Sequence, residues 1–369
     1  MPEKPSCRTD EGKHFYGGQA VIEGVMMRGT DRYAVAVRRA DDEVVLGEKS
    51  IESFSDKHPW AKWPLIRGNV SMIEGLVLGF AGLQFSADVL AQEEQVRLAE
   101  EAKAQAAQEP PGSPADSEEP AAEQPEPAGL GPVLMGLTAA LGTAIAIGLF
   151  VLLPTWLVGL LMHKPAEGGT YGQDVVRNVV EGGVRLLVLV LYVLGISMMQ
   201  YVRRVFQNHG AEHATINCYE SGEPVTVANC LRYSALHPRC GTAFLLVVIV
   251  VKIILGCFFG WPVLWLRMLI RLALLPIVAG IAYEIIRWAG RHRDSAFSRF
   301  LAAPGMLMQL LTTRRPDAQQ VEVAIQALAA VAPEVSLPDG ITPARKLPLP
   351  LQAQTAEQPP VAADGQTEG

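Results

Sequence analysis

Residues 241–260 read GTAFLLVVIVVKIILGCFFG. Their reading decides the fold class, because a run of this length carrying the single charge Lys252 matches the ~20 apolar residues that cross a bilayer's ~30 Å hydrocarbon core as a helix. Three comparable runs flank it: Val133 to Leu153, extended past Pro154 to Leu161; Val184 to Val202; and Val263 to Trp288. The expected architecture is therefore a mainly α membrane protein with about four transmembrane helices, a small N-terminal antiparallel β element and interfacial helices. In the last run, Arg267 and Arg271 lie near the start, and Glu284 and Arg287 near the end, where long side chains reach the interface. Lys252 sits mid-span, where a charge is costly, so it snorkels, is paired or is functional, with snorkelling the preferred reading.

Working outward, residues 1–13 are polar and expected to be disordered. Residues 14–63 form the expected cytoplasmic β element: 19–27, 32–39 and 43–49 are short β-prone runs separated by Gly29-Thr30-Asp31 and Ala40-Asp41-Asp42. Glu23 and Arg28 read as a solvated pair in preference to part of a site. Residues 64–90 are helical and apolar, but Arg67 and Glu74 interrupt them, so an interfacial or re-entrant helix is expected. Residues 91–128 start with a charged stretch compatible with a helix and end as EPPGSPADSEEPAAEQPEPAG, an expected disordered acidic linker with too little apolar surface to offset its ordering entropy. The transmembrane domain spans 129–300 and holds a His/Cys loop at 203–240. Interfacial and amphipathic helices follow at 301–332, and 333–369 is expected to be a disordered tail.

The chain has 49% hydrophobic and 19% charged residues with a net charge of −7, and a mean hydropathy of +0.20. Acidic residues concentrate in the linker and basic ones near span ends, which excludes a nucleic-acid surface. The lipid bilayer is the expected partner, and there is room for a protein partner or a homo-oligomer. No basic segment with an apolar core and a small-residue cleavage site opens the chain. Loop 203–240 holds Arg203, Arg204, Arg232 and Arg239, against Lys164 and Arg177 in 162–181. The positive-inside rule thus places that loop and both termini on the cytoplasmic side of a bacterial inner membrane.

The chemistry lies in that loop. His209-Gly210-Ala211-Glu212-His213 reads H-x-x-E-H, and positions i, i+3 and i+4 share one helical face. Two neutral imidazoles can hold a divalent metal while the carboxylate takes a proton from bound water. The loop re-enters the membrane at His237-Pro238-Arg239-Cys240-Gly241, so His237 and Cys240 can join His209 and His213 as a borderline-soft set suited to zinc. Glu284 is a further candidate ligand from the cytoplasmic end of the last span. Taken singly, a His or Cys at a helix end more often caps or packs than binds metal. The five cysteines, Cys7, Cys218, Cys230, Cys240 and Cys257, are expected to be reduced in this compartment.

Several longer stretches occur in a recognisable order. They are Tyr16 to Gly29 (YGGQAVIEGVMMRG), HGAEH with Thr215 to Glu220 (TINCYE), Leu236 to Gly241 (LHPRCG), and Pro304 to Thr313 (PGMLMQLLTT). With them the chain resembles the YqhQ family of bacterial membrane proteins over residues 14–90 and 130–330. The resemblance implies a predicted metal-dependent enzyme without an assigned substrate. Ala214 stands where the family would place Lys, and the acidic linker reads as an insertion.

Two functions of different class follow. One is a metal-dependent hydrolytic enzyme with His209 and His213 as ligands, Glu212 as general base, and His237, Cys240 or Glu284 completing the sphere. The other is a membrane assembly or scaffold protein in which the cluster closes around a structural zinc. An open coordination position separates them. A transporter is disfavoured, since the spans lack paired broken helices and an internal repeat.

Overall fold

The computed structural model describes residues 16–106, 132–162, 170–238, 240–292 and 295–349. The expected disordered N-terminus (1–13), the linker from 107 to 128 and the tail from 350 onward lie outside the described residues.

Strands β1 (Gly17–Val21), β2 (Gly24–Arg28), β3 (Arg32–Arg38) and β4 (Val44–Ser50) form an antiparallel meander. The run 19–27, expected as one strand, is two. The backbone reverses at Ile22-Glu23, with Glu23 at φ 51°, and Gly24 passes so close to β3 that a Cβ there would lie 2.2 Å from the Ala36 carbonyl. A fifth strand, β5 (Arg345–Leu347), comes from the segment expected as tail and pairs parallel with β4, Leu46 opposite Lys346. The sheet is therefore mixed, not purely antiparallel.

Both faces of this sheet are covered, which explains why β3 buries consecutive residues instead of alternating. Val25, Met27, Ala34, Ala36 and Leu46 face one apolar cluster, while Val21, Met26, Val35, Val37 and Val45 face the other. Helices α6 (Gln200–Ser221) and α11 (Ala318–Val331) cover the first face. Phe85 and Val89 cover the second. They come from α2 (Ile66–Ala106), which follows the short helix α1 (Phe54–Lys57). Each buried Val or Leu contributes about 1.5–3 kcal/mol, so the two-sided core organises this half of the molecule. α2 runs on to Ala106, so the charged start of the 91–128 segment is helical and continuous with the helix before it.

The other half is a bundle of apolar helices: α3 (Pro132–Ile147), a π-helical turn (Gly148–Leu152), α4 (Leu153–Leu161), α5 (Tyr171–Ser197), α8 (Gly241–Cys257) and α9 (Leu264–Arg291). The π turn falls just before Pro154, which cannot donate to the helical ladder. Thr170 and Gln173 close a reciprocal capping box at the start of α5. Four helical segments are long and apolar enough to cross a membrane: Ile66–Ala102, Ala140–Leu161, Tyr171–Ser197 and Trp265–Ala289. These differ from the expected four. α2 qualifies by length and composition, although between Gly79 and Val89 it lies against the sheet, where a Cβ at Gly79 would lie 2.3 Å from Gln19. The expected third span is instead a helix of 17 residues, ending at Cys257.

The expected second run, Val184 to Val202, is divided between α5 and α6. Met199 is extended (φ −71°, ψ 130°), which breaks the helix between them. α6 ends at Gly222, left-handed at φ 81°. The short helix α7 (Val227–Cys230) precedes α8, and α10 (Ala296–Thr312) connects the bundle to α11.

Candidate metal centre

The buried stretch of α6 carries the site. A run of nearly consecutive buried positions around Asn208, Glu212, His213 and Thr215 shows that this polar helix is enclosed on most of its circumference. Enclosure depends on Gly210: a Cβ there would lie 1.9 Å from the Arg314 carbonyl. The connector between α10 and α11 thus presses against α6, fixed by Arg314 N–H donating to Phe206 O at 2.8 Å.

Two backbone carbonyls orient the imidazoles. His209 Nδ1 lies 2.9 Å from the Thr312 carbonyl, and His213 Nδ1 lies 2.6 Å from the Ala235 carbonyl. A carbonyl only accepts, so each Nδ1 carries a proton and Nε2 is the ring nitrogen left to serve as a ligand. His209 Nε2 is 3.2 Å from Cys240 Sγ, and the same thiol is hydrogen-bonded to His213. One donor atom from each of His209, His213 and Cys240 lies within 4.8 Å of the others. Fixing Nδ1 on a carbonyl is the usual way a metal-binding His is held in tautomer and direction. Burial holds the His213 pKa below its ordinary value and so keeps the ring neutral, as ligation requires. These donors fit zinc or a similar borderline ion.

The loop that delivers Cys240 is held in place by side chains from α6 and α10. Asn217 Nδ2 donates to the Ser234 and Leu236 carbonyls at 2.8 and 3.1 Å. Gln309, fully buried, accepts from His237 N–H at 2.8 Å and donates to the His237 carbonyl at 2.9 Å. Gln309 and Thr312 escaped the reading of candidate ligands, although both lie in the PGMLMQLLTT stretch that carries the family resemblance.

The remaining candidates are placed differently. His237 is buried with its ring 5.7 Å from that of His213, but its Nε2 is 3.6 Å from the Glu220 carboxylate, and it falls outside the three-donor group. Glu212 is buried beside β1, where Gly18 N–H donates to its carboxylate. Its Oε2 has no hydrogen-bond partner among the described residues. Burial pushes its pKa above the ordinary value, against the opposing fields of His209 and His237. Glu284 is not brought to the centre. It is held by Arg67 of α2, with Arg67 Nε donating to its Oε1 at 2.6 Å. Cys218 and Cys230 are buried in the core under the sheet.

Comparison with known proteins agrees with the sequence stretches above. A family model described as "protein of unknown function (DUF1385)" matches residues 63–334. The chain is 33% identical over 313 residues to the "Uncharacterized protein YqhQ" of Bacillus subtilis (strain 168), covering 85% of this chain and 90% of that one. No solved structure matches. The chain belongs to this YqhQ (DUF1385) family.

Proposed function

We propose that this YqhQ-family chain is a bacterial inner-membrane protein that holds one divalent metal, zinc by its donor set, through His209, His213 and Cys240. It acts as a metal-dependent hydrolase at the cytoplasmic surface of the membrane. The observation that carries the reading is the pair of Nδ1–carbonyl contacts, which aim both Nε2 atoms at Cys240. Three protein donors leave a fourth position open, the arrangement of catalytic sites rather than closed structural ones. A metal bound there supplies Lewis acidity and makes water acidic enough to deprotonate near neutral pH.

Glu212 takes the role of base. Its unpartnered Oε2 is an acceptor held in a dry site one helical position from His213. Gly18 fixes the carboxylate from the strand side, so proton transfer needs no rearrangement of the side chain. The apolar bundle sits in the bilayer, with loop 203–240 and both termini on the cytoplasmic side.

Elemental analysis tests this on full-length protein purified in detergent without chelator. About one zinc per chain is expected, lost in His209→Ala and His213→Ala and retained in Glu212→Gln. Metal-free wild-type protein under mild preparation would sink the reading. Should Cys240→Ser unfold the protein as it loses the metal, the site is a structural zinc, as in the scaffold alternative.

A further inference from the structure

A second polar cluster lies inside the helical bundle, away from any residue discussed as a ligand. Glu181 of α5 is 1% exposed and is surrounded by cations. Arg271 of α9 donates to both of its oxygens, to Oε2 at 2.8 Å. Arg185 of α5 donates to Oε1, and Thr155 of α4 donates to the same oxygen at 3.1 Å. Three of these bonds fall on Oε1 and one on Oε2, and Thr155 shares its single proton with the Val151 carbonyl at 2.8 Å.

Positive charge remains. A cavity of about 370 Å³ opens beside the cluster, and Arg185, Arg271 and Lys252 all line it. Lys252 has no hydrogen bond or ion pair among the described residues, and Arg185 Nε is a buried donor without an acceptor. The rest of the wall is largely apolar, with Leu189, Val248, Ile249 and Leu274. Lys252 thus shares the lumen with two arginines.

Cations buried in an apolar bundle are costly unless something neutralises them. One carboxylate against three cations leaves the lumen in need of an anion. A bare anion would leave the apolar wall uncovered, and a hydrocarbon would leave Lys252 unpaired. We propose that this cavity binds an anionic amphiphile, a phosphorylated lipid whose head group meets Lys252, Arg185 and Arg271 and whose chains cover the apolar wall. The site rests on the bundle lying in a membrane and is independent of the metal centre.

The test uses the full chain in dodecyl maltoside, with dioctanoyl phosphatidate, dioctanoyl phosphatidylcholine and inorganic phosphate as probes. Phosphatidate at about 100 times its Kd is expected to raise Tm by a few degrees, while the other two at equal concentration do not. Lys252→Met is expected to weaken phosphatidate binding about tenfold. Val248→Phe, which keeps every charge and fills the lumen, is expected to abolish the shift, and decides the matter alone if Lys252→Met does not fold. An equal shift with phosphatidylcholine, a shift with phosphate alone, or unchanged binding in Val248→Phe would each overturn the proposal. Extraction of the protein from cell membranes by alkaline carbonate would instead overturn the membrane reading on which it rests.

Discussion

Arg204 grips the Glu23 carboxylate in parallel, Nε to Oε1 and Nη2 to Oε2, both at 2.6 Å. The pair joins α6 to the β1–β2 reversal at a residue whose φ of 51° is unfavourable for any side chain. Arg204 is more than half exposed, so the ion pair itself contributes less than about 1 kcal/mol.

Two substitutions at Glu23 separate the pair from the backbone strain. Glu23→Ala loses the ion pair and keeps the unfavourable φ, whereas Glu23→Gly loses the pair but relieves the backbone. Glu23→Ala should be the less stable by about 1 kcal/mol in chemical denaturation. Equal stability would mean that the turn relaxes on losing Arg204.

Gly210→Ala should be far more damaging than a surface helical Gly→Ala change, which is mildly favourable. Its methyl would meet the Arg314 carbonyl, a backbone atom that cannot rotate away. A loss of about 2–3 kcal/mol is expected, together with loss of bound metal, because the connector runs on directly from Thr312, the last residue of α10, whose carbonyl orients His209. A variant that keeps both metal and Tm would show that the connector is not packed as described.

Glu212 should make the metal-free protein less stable as pH rises. Its folded pKa is raised above the ordinary 4.5 by burial, so above that value the folded state holds a proton that the unfolded state has released. Stability therefore falls with rising pH until the folded group also ionises, by at most about 1.4 kcal/mol per pH unit. Glu212→Gln lacks this loss. The Tm of the chelator-treated variant minus that of wild type should grow between pH 5 and 7, and a constant gap would contradict the buried placement.

Cells expressing Glu223→Cys and Glu167→Cys report the orientation. Glu223 is exposed just after α6, while Cys218 and Cys230 are buried and should contribute little background. An impermeant maleimide added to intact cells should label the 167 variant above the parent and leave the 223 variant unlabelled. The reverse pattern would place the metal centre outside the cytoplasm.

The i, i+4 spacing made the His209–His213 pair legible in the sequence, because helical periodicity alone puts the rings on one face. Cys240 followed from a loop that must return to its starting point. Glu284 did not, since its partner Arg67 lies 217 positions away and no local pattern encodes that pairing. The carbonyls of Thr312 and Ala235 leave no trace in residue type, because any side chain supplies the same backbone oxygen. β5 is three residues long and lies in a Pro-rich segment, where composition outweighs so short a strand. The α5–α6 break was hidden because Met198 and Met199 are good helix formers.

The parallel pairing of β4 with β5 has a consequence for how the molecule is made. Strand β4 ends at Ser50, and its neighbour does not begin until Arg345. α11, which seals one face of the sheet, begins only at Ala318. During synthesis the first four strands emerge long before α11, and the part of their face that α11 covers stays bare while the helices of the bundle are translated. Translation must nearly finish before the sheet closes, so a chain cut short by ribosome stalling or by a premature stop codon presents that face as a hydrophobic flag to chaperones and proteases.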